Sequence, residues 1–281
     1  MPYCSTTQAN FYYEKFGDGT PIVFIHGFSI DHQVMSGCME PIMSRKAGWS
    51  RIYIDLPGMG KTKGYKGIRN SDAILDAVLE FIDILLPNQS FAIVGESYGA
   101  YIARGVIEQR AEQVVGAAFI CPLIFPEMKD RKVEAHQIMK KDSLFLESLS
   151  LEELQSFQSN NVILTAETWN RYNNEILSGI QLADLDFLAK IRDSYGFTTP
   201  IDQVVFTKPS VFLLGKQDSS VGYKDALSFI DNYPRSSYAL VDMAGHNLQF
   251  EQPEIFKLFI EDWLGRVLEE MPVVANHSFD Q

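Results

Sequence analysis

Short apolar runs, each followed by a stretch of helical periodicity, recur along most of this chain, and that order restricts it to a mostly parallel sheet with helices on both faces. The chain opens on two β-rich runs, Phe11 to Phe16 and Ile22 to Ile25, parted by the turn-forming Gly17-Asp18-Gly19-Thr20-Pro21. A strand from Arg51 to Asp55 closes on Leu56-Pro57-Gly58. Ile74, Leu75, Val78, Leu79, Ile82 and Leu85 then keep helical spacing, with Ser71 placed to cap that helix and Pro87 to stop it. Phe91 to Val94 is too short for a helix and has no polar alternation, so it reads as a strand buried on both faces. A helix from about Gly99 to Gln109 and a strand from Val114 to Cys121 follow. Later come a strand from Val211 to Leu214, a helix near Lys224 to Asn232, a strand from Ser237 to Val241 and a helix from Pro253 to Val267.

One stretch breaks the alternation. From Pro126 to about Ile201 the spacing is helical throughout, with no convincing strand. Ser150 and Glu153 form a capping-box pair, and Arg131 to Lys141, Thr168 to Ser178 and Ala183 to Arg192 are amphipathic. The expected fold is therefore α/β, a doubly wound, mostly parallel sheet built from residues 1–125 and 202–281, with 126–201 inserted as a helical cap. Length agrees: 281 residues, at roughly 150 per domain, make about two units, and the insertion is the second. The tail from Met271 is expected to fray.

Composition narrows the partners. The 24 basic and 36 acidic residues leave a net charge of −12, the wrong sign for nucleic acid or an anionic membrane surface. Cys4, Cys38 and Cys121 stand far apart, without metal-ligand spacing, which suggests free thiols in a reducing compartment. Neither a signal peptide nor a membrane-length apolar run is visible, so a cytoplasmic protein acting on a small molecule is expected.

The sharpest local signal is Gly95-Glu96-Ser97-Tyr98-Gly99, directly after the buried strand and directly before a helix. This is a G-x-S-x-G nucleophile elbow, a turn tight enough to need small flanking residues while the serine hydroxyl projects above the sheet. A serine hydroxyl is a weak nucleophile and needs a base and an orienting acid, in the chain order Ser, Asp/Glu, His. Asp218, in Gly215-Lys216-Gln217-Asp218, and His246, in Ala244-Gly245-His246, both lie just past strand ends, where open α/β sheets place their sites. Asp225 falls inside the next helix and Asp242 shares the loop of His246, so both are worse placed. His136 lies in the insertion and His277 in the tail. The backbone N–H groups of Phe28, after His26-Gly27, and of Tyr98 are the candidate oxyanion donors, with His26 expected to shape its loop. Gly58-Met59-Gly60-Lys61-Thr62 has the ending of a P-loop. A phosphate cradle there would place Asp55 where a glycine is required, and Pro57 removes an N–H donor, so it reads as a turn.

Taken in order, His26-Gly27-Phe28, Asp55-Leu56-Pro57-Gly58-Met59-Gly60, the elbow, Gly215 to Asp218 and Ala244 to His246 resemble the α/β-hydrolase fold superfamily, in its branch with a helical cap after the sixth core strand. That resemblance implies Ser97 as nucleophile, His246 as general base and Asp218 as the acid that orients it, with no cofactor or metal. Serine at the elbow argues against haloalkane dehalogenases and epoxide hydrolases, which place aspartate there. The expected function is a serine hydrolase, a carboxylesterase acting on a small or medium apolar ester. Carbon-carbon hydrolysis of diketones and a non-catalytic ligand-binding member of the fold are the rivals. In the cap, Phe145, Leu146, Trp169 and Tyr172 either line an apolar pocket or pack between helices.

Overall fold

A computed structural model describes residues 2–271; the tail expected to fray, His277 included, lies outside them apart from Met271. The core elements are β1 (Tyr3–Ser5), β2 (Asn10–Phe16), β3 (Thr20–Ile25), α1 (Gln33–Met43), β4 (Trp49–Ile54), α2 (Ser71–Leu85), β5 (Phe91–Glu96), α3 (Tyr98–Arg110) and β6 (Val114–Ile120). Between β6 and β9 lie β7 (Lys140–Lys141), α4 (Ser143–Leu146), α5 (Leu151–Asn160), β8 (Ile163–Leu164), α6 (Ala166–Tyr172), a π-helical turn over Asn173–Leu177, α7 (Ser178–Leu182) and α8 (Leu185–Arg192). The chain then returns through β9 (Ser210–Gly215), β10 (Ser236–Val241), α9 (Leu248–Glu251) and α10 (Pro253–Glu270).

Eight strands form one sheet in the order β1-β2-β4-β3-β5-β6-β9-β10. At one edge β2 pairs antiparallel with both β1 and β4, and the remaining pairs are parallel, as the alternation predicts. β3, β4, β5 and β9 are buried along almost their whole length, because α2 and α3 cover one face while α1 and α10 cover the other. Continuous apolar runs follow directly from that double cover. Phe11, Phe24, Trp49, Phe91, Phe119 and Trp263 fill the two layers between helices and sheet.

Some local expectations need correction. α2 is capped by Asn70, whose side chain accepts the Ala73 N–H at 2.9 Å; Ser71 sits one residue inside, its hydroxyl shared between Tyr98 Oη at 2.7 Å and the Tyr195 carbonyl at 2.8 Å. Asn and Ser cap equally well, so composition alone did not fix the first turn. The segment Arg131 to Lys141 is not a helix. It runs extended over exposed residues, tied by Arg131 to the carbonyls of Phe125, Pro126 and Ser220, and ends in β7, which pairs with β8 as a two-residue parallel ladder. Strand pairing therefore does occur in the insertion. The helix expected near Lys224 is a 3₁₀ segment over Ala226–Asn232. α1, with Pro41 inside it, and β1 were not anticipated.

Candidate active site

The elbow is built as its glycines require. A Cβ on Gly99 would lie 2.1 Å from the Ile25 carbonyl oxygen, and one on Gly95 would lie 2.5 Å from Ala100 Cα, so neither position tolerates a side chain. Ser97 is held at φ 52°, ψ −116°, a strained conformation for a residue with a Cβ. Its N–H donates to the Ile120 carbonyl at 3.0 Å, and its own carbonyl accepts from Ala100, Tyr101 and Leu123. Ser97 is also the N-cap of the 13-residue α3, so the positive end of that helix faces the hydroxyl.

The structure brings the three sequence-predicted residues together. His246 Nε2 lies 2.9 Å from Ser97 Oγ, and its Nδ1 lies 2.8 Å from Asp218 Oδ2. The other oxygen of Asp218 accepts the N–H groups of Ser220 at 2.8 Å and Val221 at 3.0 Å. Burial opposes the charge on Asp218, but His246 and those two amides outweigh it and hold the carboxyl below its usual range. Burial likewise opposes the imidazolium; Asp218, and more weakly the nearby Glu96, push His246 up to about 9. Asp242 is spent on Gln217 at the surface, and Asp225 accepts the Lys132 N–H, so neither reaches the imidazole. His136 bonds the Gln158 carbonyl in the insertion.

Phe28 and Tyr98 both flank the serine. Tyr98 is the first residue of α3, where backbone N–H groups have no partner within the helix. Phe28 lines the pocket beside Ser97, and its ring is fixed by Tyr98 at 5.2 Å, by Tyr195 at 5.0 Å and by the Arg192 guanidinium at 5.2 Å. His26 shapes the loop as expected. Its Nε2 accepts the Leu56 N–H at 3.0 Å, which leaves Nδ1 to donate to the Gly27 carbonyl, and burial keeps the ring neutral. The P-loop-like turn is held by Asp55, which accepts the Lys61 N–H and bonds His32, with Thr62 closing onto the Asp55 carbonyl.

The pocket over Ser97 has two lobes that share Phe28, Ser29, Ser97, Asn160, Ser220 and His246. A small lobe of about 120 Å³ runs under Ile30, Ile176 and Ile180 and includes Gly27 and Glu96. A larger lobe of about 500 Å³ is bounded by Leu123, Met128, Arg131, Arg192, Tyr195 and Val221. The residues of the insertion singled out from sequence line neither lobe. Phe157, Trp169 and Tyr172 pack edge-on or tilted against one another between α5 and α6, while Leu146 is buried in the core and Phe145 packs against it.

Two acids were missed. Glu96 was legible only as the unconstrained second position of the elbow. Glu251 ties the loop of His246 to the insertion: one carboxylate oxygen accepts the Gly245 N–H at 2.6 Å, and the other accepts Val162 at 2.6 Å and Ile163 at 3.3 Å. Burial pushes it up to about 7 despite those three donors. Its only sequence signal is an acid five residues after His246. Asn247 adds a second tie, donating to the Asn160 carbonyl and to Asn161 Oδ1, both at 3.0 Å.

A parallel sheet with a serine on a strained strand-to-helix turn, bonded to a histidine and an aspartate from later strand ends, defines an α/β hydrolase. Residues 20–253 match the family described as serine aminopeptidase S33, and the chain belongs to that family. It is 25% identical over 264 residues to a pimeloyl-[acyl-carrier protein] methyl ester esterase of Legionella pneumophila (strain Paris), covering 91% of this chain and 99% of that one. Among solved structures it is similar to an alpha/beta superfamily hydrolase from Oenococcus oeni PSU-1, with 29% identity, a TM-score of 0.87 and coverage of 95% and 100%. A thermophilic esterase from Thermogutta terrifontis shares the fold at 17% identity and a TM-score of 0.62, with 95% and 97% coverage. Among the described residues no helix is long and apolar enough to cross a membrane.

Proposed function

We propose that the protein is a carboxylesterase that hydrolyses a small or medium ester through an acyl-enzyme on Ser97. The observation that carries this reading is the continuous hydrogen-bonded row Asp218–His246–Ser97, at 2.8 Å and 2.9 Å, on a helix N-terminus. Ser97 Oγ attacks the carbonyl carbon while His246 takes its proton. The N–H groups of Phe28 and Tyr98 stabilise the oxyanion, and Asp218 holds the imidazolium that forms. His246 then returns the proton to the departing alcohol, and water, activated by the same imidazole, frees the acid and restores Ser97. These steps need only the chain's own groups and water.

In this reading residues 126–201 act as a cap, since Asn160, Ile176 and Ile180 from the insertion close the small lobe over Ser97. Ester specificity draws support from the named esterases among the relatives. The negative charge favours a small-molecule substrate over nucleic acid or a membrane, and the three buried free thiols suit a cytoplasmic setting. The test is turnover of p-nitrophenyl acetate and butyrate together with fluorophosphonate labelling, in wild type and Ser97→Ala. Turnover and labelling lost in the variant support the mechanism; wild type and variant behaving alike would overturn it.

A further inference from the structure

Three donors line the large lobe and have no part in the mechanism: Arg131, Arg192 and Tyr195. Arg131 is pinned, since its Nε, Nη1 and Nη2 donate to the carbonyls of Phe125, Ser220 and Pro126 at 2.8, 3.0 and 2.6 Å. A guanidinium has five N–H groups, so two of them remain to be matched. Arg192 lies over the Phe28 ring at 5.2 Å, and its guanidinium has neither a hydrogen bond nor an ion pair among the described residues. The Tyr195 ring is fixed by stacking on Tyr98 at 4.8 Å and by Phe28 at 5.0 Å, and its carbonyl accepts the Ser71 hydroxyl, whereas its own hydroxyl bonds nothing among the described residues. Burial pushes that hydroxyl up, and Arg131 and Arg192 both pull it down, so the phenol stays a donor with two guanidinium groups close to it. The acids near Arg131 are Asp218, Glu127 and Asp225, and none of them forms an ion pair with it. Asp218 is committed to His246 and to the amides of Ser220 and Val221, and Asp225 to the Lys132 N–H. Glu127, exposed, lines the lobe itself. Two arginines against one glutamate leave this wall, His246 aside, with a single surplus positive charge in a protein whose net charge is −12.

We propose that Arg131, Arg192 and Tyr195 form a carboxylate subsite, so that the preferred substrates are esters with a free carboxylate on the group that fills the large lobe. The inference deepens the esterase reading and rests on Ser97 being the nucleophile. A carboxylate is flat and has two acceptor oxygens, the shape a guanidinium fork matches, and charge-assisted bonds of that kind are among the stronger ones. One surplus charge on the wall suits a monoanion better than a phosphate dianion. Leu123, Met128 and Val221 on the same wall suit the apolar part of such a group, and about 500 Å³ gives it room. The small lobe has no arginine and, at about 120 Å³, takes a group of a few heavy atoms. In a strongly acidic protein a local positive wall also draws in an anion that the rest of the surface repels.

Matched esters that differ only in the anion test this. The acyl-side pair is the mono-p-nitrophenyl ester of adipic acid and its methyl ester; the alcohol-side pair is 4-acetoxyphenylacetate and its methyl ester. Release of the phenol gives kcat/KM and KM for all four with the full chain, in wild type, Arg192→Gln, Tyr195→Phe and Glu127→Gln. In one of the pairs wild type should prefer the acid by about tenfold or more in kcat/KM, mainly through KM. Arg192→Gln and Tyr195→Phe should each cut that preference by about threefold or more, and Glu127→Gln, which removes an opposing charge, should raise it. Each preference is a ratio within one protein, so a general loss of activity on substitution does not imitate the result. Methyl esters turned over as well as the acids in both pairs, or a preference untouched by Arg192→Gln, would overturn the inference while leaving Ser97 as nucleophile. Four idle esters with Ser97 still labelled by a fluorophosphonate would also overturn the inference alone; Ser97 unlabelled as well would overturn the nucleophile assignment with it.

Discussion

Replacing Glu96 by Gln should stabilise the protein, and by an amount that depends on pH. The carboxyl is essentially buried, and burial is the largest influence on it, raising it from 4.5 to about 7 against the partial relief given by His246. An acid whose folded value is raised binds its proton more tightly in the folded state. Its contribution is therefore full below 4.5 and is lost as pH rises through about 7. Integrating the proton linkage between those two values gives a loss of about 0.8 kcal/mol at pH 5 and about 3.3 kcal/mol at pH 8, relative to low pH. Gln has the shape of the neutral acid and no such loss, so the stability gained by Glu96→Gln should be about 2.5 kcal/mol larger at pH 8 than at pH 5. Urea denaturation of both proteins at the two pH values, with m-values compared to confirm a common unfolding transition, measures this difference. A gain that is the same at both pH values, or a loss at pH 8, would refute the claim that a desolvated charge sits beside Ser97.

Three further outcomes follow from the same geometry. Because only the neutral imidazole can act as base and His246 is pushed up to about 9, kcat/KM for an ester should rise with pH along a limb lying above the ordinary histidine value; Glu96→Gln should move that limb to lower pH, and a limb near 6.5 in both proteins would contradict the assignment. Asp218→Asn should lower kcat by about 10⁴-fold with an unchanged far-ultraviolet dichroism spectrum, since the amide leaves the imidazole in the wrong tautomer; a loss under tenfold would show that His246 is oriented by another group. Glu251→Ala leaves three buried N–H groups unpaired and should cost about 3 kcal/mol or more in denaturant titration; a cost below about 1 kcal/mol would mean that the loop is held elsewhere.

Much of this was legible from residue order because buried parallel strands leave strong marks. Phe91 to Val94 is apolar on both faces only because helices cover both, and the same geometry places Ser97, Asp218 and His246 at one end of the sheet. The turn chemistry at Ser97 is dictated by the backbone and so must show in the glycines. Where the chain folds on its surface the marks fade. Arg131 to Lys141 has helical spacing yet runs extended, since its ties are Arg131 to three carbonyls and a ladder to Ile163 and Leu164, partners too distant in sequence for periodicity to reveal. α1 was hidden by Pro41, which removes one helical N–H but is carried by the burial of Val34, Met35, Met39 and Met43. The roles of Glu96 and Glu251 depend on what faces them in three dimensions, and no local pattern distinguishes either from a solvated acid.

The bridge made by Glu251 has a consequence for how such a molecule turns over. The same carboxyl group grips Gly245, the residue before His246, and Val162 and Ile163 in the insertion. Together with the tie from Asn247 to Asn160 and Asn161, it couples the insertion to the base, so that a displacement of β8 would be passed to the loop that carries His246. Substitutions along β8, whose residues do not line the pocket over Ser97, should register in the rate of turnover before they register in binding.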